Sequence, residues 1–133
     1  MIHNVAILGS TGSVGTTTLS VLSKNKNYRV KLLTANTNVE KVLSQSLKFN
    51  VKNVVIFDKD KYLKFKNLFK ENKIKLHFGL SNINKILNKK LDFTINAISG
   101  IDGLEPTLKI IPHTKNILIA NKETIICGWE IIS

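Results

Sequence analysis

Gly9, Gly12 and Gly15 stand in a G-x-x-G-x-x-G spacing between an apolar run, Val5-Ala6-Ile7-Leu8, and a helix-like segment, Thr16 to Ser23. That arrangement suits the binding of a pyrophosphate. Glycines let the backbone turn sharply and come close to a ligand, and the N–H groups and positive dipole end of the following helix face an anion. Thr11 and Ser13 add hydroxyl donors. The spacing differs from the G-x-G-x-x-G of the commonest dinucleotide fingerprint. A plain strand–turn–helix connection would use similar residues, but strand, turn and helix in that order at the start of a chain favour nucleotide binding.

The other reactive side chains form no constellation. His3, His77 and His113 fall in different elements without ligand-spaced neighbours, so no zinc site is expected. Cys127 has no nearby histidine base and lies on an apolar helix face, which suits a buried, inert thiol. Asp102 and Glu105 form a pair of acids that more often caps a helix than binds a metal.

The elements that must position the glycine turn read as alternating strands and helices. Tyr28 to Thr34 is a second strand, and Asn38 to Phe49 a helix with Val39, Val42, Leu43 and Leu47 at helical spacing. Val51 to Phe57 is a third strand. Asp58 is a fair N-cap for a helix over Asp60 to Asn72, with Tyr62, Phe65, Leu68 and Phe69 on one face. Ile74 to Phe78 is a short strand, Ser81 to Lys90 a helix with Ile83, Ile86 and Leu87 inward, and Asp92 to Ile98 a strand. Leu104 to Ile111 is helical with Pro106 near its first turn, Lys115 to Ala120 a strand, and Lys122 to Ile132 a helix. Such repeats imply a Rossmann-like α/β fold in one domain, residues 1–133: a doubly wound, mostly parallel sheet with helices on both faces. Ligands in such sheets sit beyond the carboxyl ends of the strands. Residues 9–15, 35–38, 99–103 and 121–123 all follow strand ends and should line one edge.

Composition sets the outer bounds. The chain has 133 residues, 43% of them hydrophobic, enough for a real core. Its mean hydropathy of +0.03 fits a soluble protein, and no apolar stretch approaches the roughly 20 residues that span a bilayer. No leader-like segment precedes the first strand, and the single cysteine excludes an internal disulfide, so a cytoplasmic protein is expected. The net charge of +11 comes almost wholly from scattered lysines, with Arg29 the one arginine. Specific nucleic-acid binding is therefore not expected, since arginine is the residue of bidentate phosphate and base recognition. The last predicted helix stops with no cap or polar tail, and Trp129, Ile131 and Ile132 want an apolar partner. A helix docked on the sheet is one explanation; a polypeptide that continues past Ser133 is the stronger expectation.

AILGSTGSVG near the start, NAISGIDGLEPTL at Asn96 to Leu108 and ILIANKETIICG at Ile117 to Gly128 together resemble 1-deoxy-D-xylulose 5-phosphate reductoisomerase, an enzyme of the non-mevalonate isoprenoid pathway. The glycine loop alone is shared with aspartate-semialdehyde dehydrogenases and other reductases; the later G-x-x-G-L-x-P-T-L and A-N-K-E segments, in order, are specific. The resemblance covers essentially the whole chain and corresponds to the family's N-terminal NADPH-binding domain.

The resemblance implies roles residue by residue. Thr11, Gly12, Ser13 and Val14 would hold the cofactor diphosphate. The loop Asn36, Thr37 and Asn38 would sit at the adenosine ribose. The family usually shows a glycine and then a lysine or arginine there; Asn38 matches, whereas Asn36 and Thr37 depart, and the missing base would have faced the 2′-phosphate of NADPH. No acid ends the second strand to grip a 2′-hydroxyl, so NADH is not favoured instead. Lys41, one helical turn on, is a candidate to compensate. Asn121 and Glu123 would contact the nicotinamide half and Lys122 the substrate, where an ammonium steadies developing negative charge. Read without the resemblance, the same trio is an asparagine cap and a charged first helical turn.

The implied reaction rearranges 1-deoxy-D-xylulose 5-phosphate and reduces the resulting aldehyde with NADPH to 2-C-methyl-D-erythritol 4-phosphate, assisted by Mg2+ or Mn2+. The family's metal ligands and most of its phosphate contacts come from a segment beyond Ser133, and its usual homodimer relies largely on such parts. These residues alone are therefore expected to bind cofactor without turnover. The competing expectations are a nucleotide-binding remnant without catalysis and another reductase such as a semialdehyde dehydrogenase, for which Cys127 is badly placed.

Overall fold

The computed structural model describes residues 1–98 and 103–120. In chain order these form β1 (His3–Leu8), α1 (Ser13–Ser23), β2 (Tyr28–Ala35), α2 (Val39–Phe49), β3 (Asn53–Ile56), α3 (Lys59–Glu71), β4 (Lys75–Phe78), α4 (Ile83–Ile86), β5 (Leu91–Asn96), α5 (Leu104–Ile110) and β6 (Thr114–Ile119). The strands make one sheet in the order β4-β3-β2-β1-β5-β6. Every pairing is parallel.

The centre of the sheet is where the sequence is most continuously apolar. Val5, Ala6, Ile7 and Leu8 have no exposed surface, as a strand covered on both faces requires. Their side chains alternate between two cores. Val5 and Ile7 join Leu19, Leu22, Val42 and Phe69, which come from α1, α2 and α3. Ala6 and Leu8 join Leu80, Ile83, Ile86 and Ile110, carried by or next to α4 and α5. Helices thus cover both faces, and the doubly wound Rossmann-like architecture is the observed one.

Several expected boundaries move, for physical reasons. The helix expected over Ser81 to Lys90 is a single turn, and Leu87 is already extended. Asn82, Asn84 and Asn88 are poor helix formers, one turn suffices to bury Ile83 and Ile86, and the chain must straighten at once to enter β5. Val51 precedes β3 rather than opening it. Asn50 ends α2 in the left-handed region at φ 57°, and the Val51 N–H donates to the Ser46 carbonyl at 2.9 Å. Asp58 caps α3 as expected, accepting from the Lys61 N–H at 3.0 Å. The predicted helix Lys122 to Ile132 lies outside the described residues.

The opposite, amino-terminal edge is held by Asp92. Its carboxylate accepts from the Asn4 N–H on β1 at 2.7 Å and pairs with Lys115 on β6 at 3.4 Å. The Asn4 hydrogen bond, aided by Lys115, holds the Asp92 pKa below the ordinary carboxylate value.

Candidate functional site

From β1 the chain winds outward through β2, β3 and β4, then returns to place β5 on the other side of β1. The winding direction reverses between β1 and β5, and ligands of open parallel sheets bind in the crevice beyond the strand ends at such a point. The segments following β1, β2 and β5 all lie at this carboxyl edge because the strands are parallel.

The glycine turn is built from three constraints. Gly9 adopts φ +77°, and a Cβ there would lie 2.7 Å from Cγ1 of Ile98, two residues past the end of β5. Its N–H donates to both the carbonyl (3.1 Å) and the hydroxyl (3.0 Å) of Thr34 at the end of β2. Gly15 brings α1 onto the turn: a Cβ would stand 2.7 Å from Ser10 Cα and nearer still to the Gly9 carbonyl oxygen. Gly12 differs. A Cβ there would meet nothing closer than the Gly9 oxygen at 3.9 Å, so the space before it is open.

Beneath the turn lies a polar latch. The fully buried Ser10 donates its hydroxyl to Gln45 Oε1 at 2.9 Å, and Gln45 Nε2 donates to the Ser10 carbonyl at 2.8 Å. One turn earlier on α2, Lys41 Nζ donates to the Thr11 carbonyl at 2.8 Å. α2 thus grips two consecutive carbonyls of the turn.

The helix starts differ in a way that matters for an anion. Asn38 caps α2 through the Lys41 N–H at 3.2 Å, and Asp58 caps α3. α1 begins at the exposed Ser13 behind Gly12 with no side-chain cap and no acid in its first turn. Its first N–H groups have no helical acceptor and carry the positive end of the dipole.

On the other side of the crevice Asn96 arranges the segment after β5. It accepts from the Ile98 N–H at 3.0 Å and donates to Thr107 Oγ1 at 2.8 Å.

The structure therefore brings Thr11, Gly12, Ser13 and Val14 together at the mouth of the crevice, with Asn36, Thr37 and Asn38 exposed on the neighbouring loop. Asn121, Lys122 and Glu123 lie outside the described residues, as does most of the 99–103 loop. Sequence reasoning missed Ser10, Thr34, Gln45 and Asn96. Gln45 left a faint signal, a polar residue three places after Val42 on the apolar side of α2. It is buried, whereas Leu47, expected inward, is 53% exposed. The sheet-facing place goes to the amide because the turn needs its two hydrogen bonds.

His3 stacks with Tyr28 and Phe93 at the opposite edge, with ring centroids 5.5 and 5.6 Å away. His77 Nε2 lies 3.1 Å from Asn53 Oδ1 on the outer strands; burial, then Lys75, lowers its pKa. Among the described residues no group of histidine, cysteine, aspartate and glutamate side chains could hold a metal ion.

The model of the family described as 1-deoxy-D-xylulose 5-phosphate reductoisomerase matches residues 5–128. The chain belongs to that family. Curated reductoisomerases similar to it include that of Pelagibacter ubique, 47% identical over 131 residues, and that of Clostridium tetani, 41% identical over 133 residues. These alignments cover 96% and 97% of the chain but 34% and 35% of the relatives, so the chain spans about a third of their length. Among solved structures, the reductoisomerase of Zymomonas mobilis in complex with NADPH superposes with a TM-score of 0.78 at 31% identity, covering 99% of this chain and 35% of that one. A reductoisomerase in complex with NADPH, fosmidomycin and magnesium gives a TM-score of 0.77 at 30% identity, covering 93% of this chain and 31% of that one.

Proposed function

We propose that residues 1–133 are the NADPH-binding domain of a reductoisomerase that converts 1-deoxy-D-xylulose 5-phosphate to 2-C-methyl-D-erythritol 4-phosphate in isoprenoid biosynthesis. The observation that carries this reading is the uncapped start of α1 behind an open glycine turn, at the switch point of a family member's sheet. A diphosphate fits there: Gly12 leaves the room, and the first-turn N–H groups supply donors.

Thr11, Gly12, Ser13 and Val14 hold the diphosphate, and Asn36, Thr37 and Asn38 border the adenosine ribose. Asn121 and Glu123 face the nicotinamide half, and Lys122 donates to a substrate oxygen. NADPH supplies the hydride when bound. The chain's own residues orient that cofactor: the latch of Ser10 and Gln45 fixes the turn before the ligand arrives, so little ordering remains to oppose binding. The described residues do not fit a Mg2+ or Mn2+ site, so the family's metal belongs elsewhere in the protein. Residues 1–133 by themselves bind cofactor without turnover.

The protein acts in the cytoplasm as a homodimer and takes no specific nucleic acid. No described helix is long and apolar enough to cross a membrane. That Arg29 is the one arginine among scattered lysines supports the absence of specific nucleic-acid recognition.

Calorimetric titration with NADPH and NADH tests the assignment. Saturable binding that prefers NADPH is expected, and binding of neither refutes it. NADPH oxidation by residues 1–133 alone in the presence of 1-deoxy-D-xylulose 5-phosphate would contradict the stated division of labour.

A further inference from the structure

We propose that Lys41 is the specificity-determining residue of this site, its ammonium taking the 2′-phosphate of NADPH in place of the basic group that Thr37 lacks. The proposal rests on the cofactor reading above. Across residues 9–19 and 36–42, which hold the two loops and the first turns of α1 and α2, Lys41 is the one cation. Its head is not loose in solvent. Nζ lies 2.8 Å from the Thr11 carbonyl, at the junction of the diphosphate turn and the ribose loop. An ammonium has three donors, and Thr11 takes one, leaving two for an anion.

The stem is equally well placed. The Lys41 N–H is held by the Asn38 cap at 3.2 Å, and Gln45, one turn on, is locked to Ser10. The residue therefore starts from a fixed distance and reaches the turn along one face of α2. Being exposed, it meets a phosphate without a large desolvation cost. No acid ends β2: its last residue is the buried Ala35, where an enzyme selective for NADH would place one, and the acid of this segment, Glu40, lies on α2. Lys59 and Lys61 begin α3 behind β3, one strand further from the switch point.

The test measures dissociation constants of NADPH, NADH and adenosine 2′,5′-bisphosphate for the purified protein and its Lys41→Met, Lys41→Arg and Lys59→Met variants. Lys41→Met, which keeps the apolar stem, is expected to weaken NADPH and the bisphosphate by about tenfold to a hundredfold. Its NADH affinity should fall by clearly less, only by what the lost Thr11 hydrogen bond contributes to both dinucleotides. Lys41→Arg should retain the preference, and Lys59→Met should leave it unchanged. An equal loss for both dinucleotides overturns the proposal, because Lys41 would then act only by holding Thr11. Unchanged affinities in Lys41→Met overturn it as well. Wild-type protein that binds neither dinucleotide would instead remove the underlying cofactor reading, and that is seen before any variant is made.

Discussion

Gly15→Ala should destabilise this protein, although the rule for helices says the opposite. Gly15 lies inside α1, and replacing a helical glycine by alanine ordinarily gains about 1 kcal/mol. Here the new methyl would sit 2.7 and 2.8 Å from Ser10 Cα and carbonyl carbon, so about an ångström of movement is needed. The turn cannot give way cheaply. Ser10 is fully buried, its N–H is bound to the Thr34 carbonyl at 3.0 Å, and Gln45 holds its other polar atoms. Overpacking against fixed atoms costs about 1–3 kcal/mol, with backbone contacts at the upper end. The net expectation is a loss of about 1–2 kcal/mol, seen in urea as a midpoint lowered by about 1 M. Gly12→Ala is the internal control. Its φ of −74° suits alanine and its Cβ space is open, so stability should hold within about 0.5 kcal/mol while NADPH affinity falls. A Gly15→Ala protein as stable as the wild type, or a Gly12→Ala protein equally damaged, would refute the reasoning.

Gln45→Leu keeps the volume but leaves the Ser10 hydroxyl and carbonyl with only the longer contacts to Thr34 and Thr16, both 3.4 Å, and should cost about 1–2 kcal/mol in chemical denaturation and weaken NADPH binding in parallel. Asp92→Asn should lower stability at pH 7 by about 1 kcal/mol. Because the Asp92 pKa is lowered in the folded state, its contribution is complete above the unfolded value of about 3.9 and vanishes as the pH falls through the folded value. The gap between wild type and variant should therefore close in acid; a gap of equal size at pH 7 and in strong acid contradicts this. His77 is also lowered, so protonation favours the unfolded chain and wild-type stability should decline as the pH drops below about 6.5. Denaturation curves of His77→Gln should show a shallower decline over that range.

The parts of the fold legible in the sequence were those governed by local pattern. β1 and the glycine turn were readable because a doubly buried strand must be continuously apolar and a turn with positive φ selects glycine at Gly9. The cap at Asp58 was readable because it acts within one helical turn. What stayed hidden depends on partners distant in sequence. Gln45 is buried because Ser10, 35 residues away, requires it, and Leu47 faces outward as a consequence. Asn96 read as an interior position of a strand running to Ile98, yet it ends β5 and organises the crevice through Ile98 and Thr107. The α4 region misled because its apolar spacing fits a helix, while its asparagines and the approach to β5 stop it after one turn.

The most direct test of the central claim is an amide NMR titration of the 15N-labelled protein with NADPH. The account predicts saturable shifts centred on Gly12, Ser13 and Val14, extending to Asn36, Thr37 and Lys41. Shifts confined to the basic amino-terminal edge around Arg29, Lys31 and Lys89, or none that saturate, would contradict it.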